Sequence, residues 1–431
     1  MARLGRRGNE AVSAASNSII EKIHMPKIAH LSDLHFCQET HKWVSQAMRK
    51  AIDQVITEAD LIVLSGDTFH HPLRTQEDSV EAVAEILGHA STMVPVLVLA
   101  GTFSHDAPGS LRYLQHVSKN QPIHIAENIE RVYLTYRGST ASFSTRVKQD
   151  DDEIVAAICC IPSINRATPE IQDLGAGPWV RARMDEWAPT NRRDRQNGIP
   201  SIVVAHGTVT GCVTESRHAM VSNDHEFSLE TLAAADTEAV LLGHIHKHQA
   251  WTWEGPSGLA TEIVYAGSLI RLVFGQHDEV GFVSWDVEPG KAQWEFCPVE
   301  SRHLLEIDFQ GEPDVDDLQR FAETVGEDDL VRVRYLVDEA SARNVDKTEI
   351  REILSGAASI KIEAQVRPIV SVRSPGIGHD APTLAAKFQI WAKTVEETPR
   401  LRPALDFLDL EGEIDDAGDL TDGFKRVALG V

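Results

Sequence analysis

Five short apolar runs in this chain, each strand-like in composition, stop at an Asp or a His. They are Ile28–His35 (IAHLSDLH), Leu61–Asp67 (LIVLSGD), Val94–Asp106 (VPVLVLAGTFSHD), Ile202–Gly207 (IVVAHG) and Val240–His246 (VLLGHIH). Oxygen and imidazole donors offered at the ends of several buried strands are how a protein assembles a cluster of divalent transition metals. One such run carries little weight, since an Asp or His at a loop start is common. Five in one chain point to a two-metal hydrolase.

The segments between these runs set the fold class. Helix-like stretches at Val44–Glu58, Glu77–Ala90 and Ser110–Val117 separate the strands, and Val80, Val83, Ala84 and Leu87 show the spacing of a helix face. Alternation of strand and helix predicts an α/β architecture with a largely parallel core. Around Trp251–Phe282 the pattern changes to strands and turns, which suits sheet edges or hairpins. After Pro298 a β-α-β-α-β run is expected: strand His303–Phe309, helix Val315–Val325, strand Val331–Val337, helix Lys347–Leu354 and strand Ile360–Val366. Ser374–Ala381 reads as a linker. Leu384–Val395 and Leu401–Leu410 read as amphipathic helices, and Glu411–Asp422 as an acidic tail. The expected division is therefore a leader at 1–24, which is a disordered tail or precedes a true start at Met25, a catalytic domain at 25–300, a small α+β domain at 301–373, and a linker with helices and tail at 374–431.

At 431 residues the chain has room for two or three domains. No run approaches the roughly 18 apolar residues that span a bilayer, which predicts a soluble protein without a membrane partner. Five cysteines, without CxxC spacing, fit a reducing cytoplasm. The net charge of −24 argues against a nucleic-acid partner at first. Ser301–Val431, however, holds 27 acidic and 16 basic residues, a net of −11, and metal-binding carboxylates account for part of the rest. Divalent cations and local Arg patches can still present a positive surface to phosphate.

Within the runs, Asp33 and His35 stand two apart and share one face of a continuing strand. Gly66 permits a tight turn that presents Asp67. His244 and His246 flank one apolar residue directly after a buried strand and a Gly, and could face one ion or two. His206 lies at the end of IVVAH.

Taken in order, these residues resemble the calcineurin-like metallophosphoesterase pattern: Asp-x-His, Gly-Asp, Gly-Asn-His-Asp, His, then Gly-His-x-His. The resemblance implies a sandwich of two mixed sheets flanked by helices. It also implies two divalent metal ions, with manganese favoured, and assigns Asp33, His35 and His246 to one and His206 and His244 to the other, with Asp67 bridging. The third run departs from the pattern, with Gly101-Thr102-Phe103-Ser104-His105-Asp106 in place of Gly-Asn-His-Asp. Aligning on His-Asp places Ser104 at the metal-ligating Asn, with Thr102 as the other candidate. His105 then matches the imidazole that gives a proton to the leaving group, with Asp106 orienting it.

Three further features resemble the SbcD-type DNA repair nucleases. Gly66-Asp67-Thr68-Phe69-His70-His71 matches their Gly-Asp-x-Phe-His segment and places His70 beside the active site. Tyr265-Ala266-Gly267-Ser268-Leu269 and Gly281-Phe282-Val283 resemble the second half of their core. The small α+β domain and helical tail match their capping domain and ATPase-binding segment in order and size. This resemblance implies a manganese-dependent nuclease that cuts DNA phosphodiesters in double-strand break or hairpin processing. It implies a homodimer within a heterotetramer, with an SbcC-type coiled-coil ATPase as partner. A small-molecule or cyclic-nucleotide phosphodiesterase on the same fold shares every metal ligand and is the alternative. One stretch, Trp179–Asn197, gathers Arg181, Arg183, Arg192, Arg193 and Arg195, and reads either as a track for a DNA backbone or as a solvated helix whose acids balance its arginines.

Overall fold

The computed structural model describes residues 25–72, 77–146, 153–164, 169–213, 226–339 and 341–367. The expected leader, linker, tail helices and acidic tail lie outside the described residues. In chain order the strands are β1 (Lys27–Leu31), β2 (Leu61–Leu64), β3 (Val96–Leu99), β4 (Ile123–Ala126), β5 (Glu130–Arg137), β6 (Thr140–Ser144) and β7 (Glu153–Ile161). There follow β8 (Ser201–His206), β9 (Thr208–Val209), β10 (Glu226–Phe227), β11 (Ala239–Gly243), β12 (Gln249–Glu254), β13 (Ala260–Tyr265), β14 (Gly281–Glu288) and β15 (Lys291–Pro298). The helices of this region are α1 (His41–Val55), α2 (Asp78–Ala90), α3 (Pro169–Leu174), α4 (Ala176–Gln196) and α5 (Leu229–Ala233).

Two large sheets carry the fold. One has the order β15-β14-β1-β2-β3-β4, parallel from β1 to β4 with an antiparallel hairpin, β14–β15, on one edge. The other has the order β12-β13-β11-β8-β7-β5-β6, parallel through β13, β11, β8 and β7 and antiparallel outside them. The strand period of two sorts the side chains. Leu61 and Val63 of β2, with Leu97, Ile158, Val204, Leu241 and Trp285, fill the core between the sheets. Ile62 and Leu64 point the other way, onto α1 and α2. Val44, Met48 and Ile52 of α1 and Val83, Ile86 and Leu87 of α2 cover that outer face at helical spacing. On the far side, Val180 and Met184 of α4 and Leu232 of α5 cover Val203, Val240 and Ile263. The result is a four-layer α/β/β/α sandwich, the mixed two-sheet architecture expected.

Among the described residues, the boundaries of helices and strands moved by a few residues at most, with one change of type. The helix expected at Ser110–Val117 is a 3-10 segment, Arg112–Val117. Six residues are too few to repay α-helix nucleation.

The chain divides into two compact units. One comprises Met1–Ile307, Leu318–Val333 and Arg351–Ile362; the other comprises Asp308–Asp317, Arg334–Ile350 and Glu363–Val431. From Leu304 onward the order is β16 (Leu304–Phe309), α6 (Val315–Ala322), β17 (Leu330–Asp338), α7 (Lys347–Ile353) and β18 (Ser359–Arg367), with a sheet ordered β16-β17-β18. Among the described residues, no helix is long and apolar enough to cross a membrane.

Candidate metal centre

The parallel strands of both sheets deliver their C-terminal ends to one place, the usual position of a site in an open α/β sheet. Past β1, Asp33 and His35 adopt left-handed backbone at φ 50° and 47°, and past β2 Asp67 does the same at φ 50°. Such residues cost about 1–2 kcal/mol each without glycine. Hydrogen bonds between the two loops hold them: Asp33 N–H to the Gly66 carbonyl (3.2 Å), His35 N–H to Asp67 (3.0 Å) and Phe36 N–H to Thr68 (2.9 Å). Gly66 has φ 106°, and a Cβ there would collide with the His206 imidazole arriving from the other sheet. His244, at φ 104°, donates its backbone N–H to both oxygens of Asp33 at 3.1 Å. The loops of the two sheets are thus bolted together through groups that also face the site.

Two compact donor groups result. Asp33, His35 and His246 place one donor atom each within 4.8 Å of one another, and so do Asp67, His206 and His244. Asp67 lies between the groups, with Oδ2 3.8 Å from His35 Nε2 and Oδ1 3.3 Å from His206 Nε2. His35 and His246 meet Nε2 to Nε2 at 3.0 Å. His206 donates its Nδ1–H to the Ser65 carbonyl (2.8 Å), which turns Nε2 toward Asp67, the arrangement imidazole metal ligands usually have. Carboxylates and imidazoles at this density fit a pair of divalent transition metals.

The electrostatics agree with a site built for positive charge. Burial opposes the charge of Asp67, but the charge and hydrogen bond of His206, and then His35, outweigh it and hold the carboxylate well below its ordinary range. Burial likewise opposes protonation of His206, yet Asp67 and Asp33 push it up to about 9. His35 is driven the other way, by burial and by His246, and stays neutral. Below pH 9 a cation entering beside Asp67 must therefore displace the His206 proton. Metal affinity is expected to rise by about tenfold per pH unit between pH 6 and 8, with about one proton released per chain, and to level off above about 9. Calorimetry in two buffers of different protonation enthalpy reads this directly, and a pH-independent affinity removes His206 from the donor set.

The third loop separates the two candidates, Ser104 and Thr102, and places Asp106 away from His105. Ser104 is exposed in the cavity wall. Thr102 stands at the metal group instead: its N–H donates to Asp67 Oδ1 (2.6 Å), and its hydroxyl lies 3.3 Å from both Asp67 Oδ2 and His206 Nε2. Aligning the Gly end of the motif rather than its His-Asp end favours Thr102, with Phe103 and Ser104 as two extra residues. Asp106, expected to orient His105, instead accepts hydrogen bonds from the backbone N–H groups of Thr68 (3.1 Å), Phe69 (3.2 Å) and Gly101 (2.9 Å). It ties the third loop to the second. Burial and the nearby Asp67 carboxylate push its pKa up to about 7 against those three donors. His105 is oriented by the His70 carbonyl, which accepts from its Nδ1–H. Asp106→Ala would leave three buried donors unpaired and should cost about 3 kcal/mol or more, measurable as a drop in Tm of the metal-free protein.

Above the donor groups lies a cavity of about 720 Å³ lined by His70, His105, Thr102, Glu39 and Leu272, among others. Ring centroids of His35 and His105 are 4.7 Å apart, and those of His70 and His105 5.7 Å. Gln276, which carried no signal in the sequence, is buried and donates to the His246 carbonyl (3.4 Å) and to Ser268 Oγ (2.5 Å), steadying the fifth loop. The arginine-rich stretch forms α4. Arg181 pairs with Asp185 and Glu230, Arg183 with Glu186, and Arg192 and Arg195 with the buried Asp236. These four arginines are committed to carboxylates of the protein.

Comparison with known proteins agrees with this geometry. The profile of the calcineurin-like phosphoesterases matches residues 26–248, a span that contains every donor named above. The DNA double-strand break repair protein Mre11 of Archaeoglobus fulgidus is 21% identical over 361 residues, covering 79% of this chain and 73% of that protein. The chain belongs to the calcineurin-like phosphoesterase family and is a metal-dependent phosphodiesterase.

Proposed function

We propose that this chain is a two-metal DNA nuclease subunit of the SbcD type, favouring manganese and working with an SbcC-type coiled-coil ATPase in the processing of DNA ends or hairpins. The observation that carries this reading is the shared carboxylate of Asp67 between two buried donor groups, with the imidazoles of His70 and His105 over them in an open cavity. Likeness to a double-strand break repair protein along 79% of the chain supports DNA as the substrate.

In this reading Asp33, His35 and His246 would hold one cation, and His206, His244 and the Thr102 hydroxyl the other. Asp67, with one oxygen toward each group, would serve both. When bound, such a pair supplies Lewis acidity toward a phosphoryl oxygen and acidifies a water at neutral pH. Mixed imidazole and carboxylate donors suit manganese. His105, its Nδ1–H fixed on the His70 carbonyl, offers Nε2 to the departing oxygen and gives it a proton as the P–O bond breaks. His70 lines the same wall.

The ATPase partner answers a physical need. A chain of net charge −24, whose helical arginines are largely committed to its own carboxylates, binds duplex poorly alone, because phosphate neutralisation supplies most non-specific affinity. A partner that clamps DNA supplies what this surface lacks, and the homodimer within a heterotetramer follows from the same reading.

The test is end-labelled linear and hairpin duplex DNA with Mn2+, beside a small aryl phosphodiester. Cleavage of the DNA, stronger with the ATPase added, is expected. Turnover of the small diester with complete inertness toward DNA overturns the nuclease reading in favour of a small-molecule phosphodiesterase.

A further inference from the structure

We propose that His35, His70 and His105 form a third, histidine-only site, sharing His35 with the group below, for a borderline divalent cation such as Zn2+. One ring nitrogen of each lies within 4.8 Å of the others, and their ring centroids are 4.7, 5.4 and 5.7 Å apart. This group differs in kind from the two below it, because it contains no carboxylate. Three imidazoles favour zinc, copper or nickel over manganese or magnesium, while the mixed groups are more permissive.

Two details prepare the site. The His105 Nδ1–H donates to the His70 carbonyl, which leaves Nε2 as the ligating nitrogen and supplies the outer hydrogen bond that ligating imidazoles usually have. The His35 Nδ1 atom is buried without a hydrogen-bond partner, while its Nε2 faces His246. Zn–N bonds of about 2.0–2.1 Å in tetrahedral geometry need nitrogens about 3.3–3.4 Å apart, closer than the 4.8 Å within which they stand, by up to about 1.4 Å. The exposed His70 and the half-buried His105 can supply that by side-chain rotation.

A cation here takes the lone pair on which His105 would carry its proton. The site is therefore inhibitory, and Zn2+ silences the chain while manganese remains on the Asp67 group. Because His35 belongs to two groups, Zn2+ also competes for the Asp33–His35–His246 position. The proposal concerns metal binding and stands whether or not the substrate is DNA.

The experiment counts bound metals by mass spectrometry on the full chain, saturated with Mn2+ and then dialysed against micromolar Zn2+. Wild type is compared with His70→Ala, His70→Ala/His105→Ala and His246→Ala. Wild type should retain about one more Zn2+ per chain than the double variant. His70→Ala removes one of the three ligands and should weaken that ion by at least the roughly 100-fold that loss of an outer-shell partner can cost. His70→Ala removes an exposed ring and serves as the readout if the double variant folds poorly. Equal Zn2+ in wild type and both His70 variants overturns the proposal. So does Zn2+ that is lost only in His246→Ala, since it then sits on the lower group. A zinc ion lost in the His70 variants upholds the site even in a chain that cuts no DNA.

Discussion

Asp67→Asn is expected to abolish hydrolysis and to lower bound Mn2+ from two ions per chain to one or none. The two oxygens of this side chain face His35 at 3.8 Å and His206 at 3.3 Å, and the amide keeps only one oxygen and no charge. The change also removes the counter-charge of His206, whose pKa is raised chiefly by Asp67 against the cost of burial. Breaking a buried pair from one side costs about 3–5 kcal/mol, so the metal-free variant should be less stable below pH 9, where wild-type His206 is protonated. Above that pH His206 is neutral in both, and the two proteins should converge. A variant that keeps two Mn2+ and full activity rules out Asp67 as the bridge.

His105→Ala should separate binding from chemistry. The ring lies outside the two lower donor groups and packs edge-on against His35, so both Mn2+ ions should remain. Loss of a general acid costs about 10²–10⁴-fold in kcat. The loss should be smallest on a diester with an acidic phenol as leaving group, which needs no proton, and largest on DNA. Equal loss on both substrates would point to a positioning role, and unchanged activity on DNA would exclude the acid role. The contrast with Asp106→Ala is informative. That substitution acts through three backbone N–H groups of the second and third loops, so it should lower Tm first and activity only as the His105 loop loosens.

Much of this was legible in the chain. The apolar runs were long enough for buried strands, and the helical stretches had the spacing to cover a sheet, so alternation alone predicted the layered α/β fold. The residue types at the strand ends were legible for the same local reason: a loop after a parallel strand can carry only what stands there. The Gly-Asp pair was a fair sign of close approach, although the approaching group, the His206 ring, is 140 residues away from Gly66 in the chain.

Sequence by itself thus determined the strand-end donors, their order and the α/β class, because strand burial and donor chemistry are local properties. The family resemblance implied how the donors group, and the tertiary structure supplies the contacts between them. His35 meets His246 across 211 positions, and Asp67 meets His206 because the core between the sheets sets their spacing. Only the tertiary structure decided that Thr102 rather than Ser104 stands at the Asp67 group, since two extra residues in a loop leave the register open until the Thr102 N–H finds the Asp67 carboxylate. It turned Asp106 from a partner of His105 into a clamp on three backbone donors, and it brought a third imidazole group to the mouth of the cavity. Loops from two sheets build this centre, and nothing along one loop specifies where another will meet it.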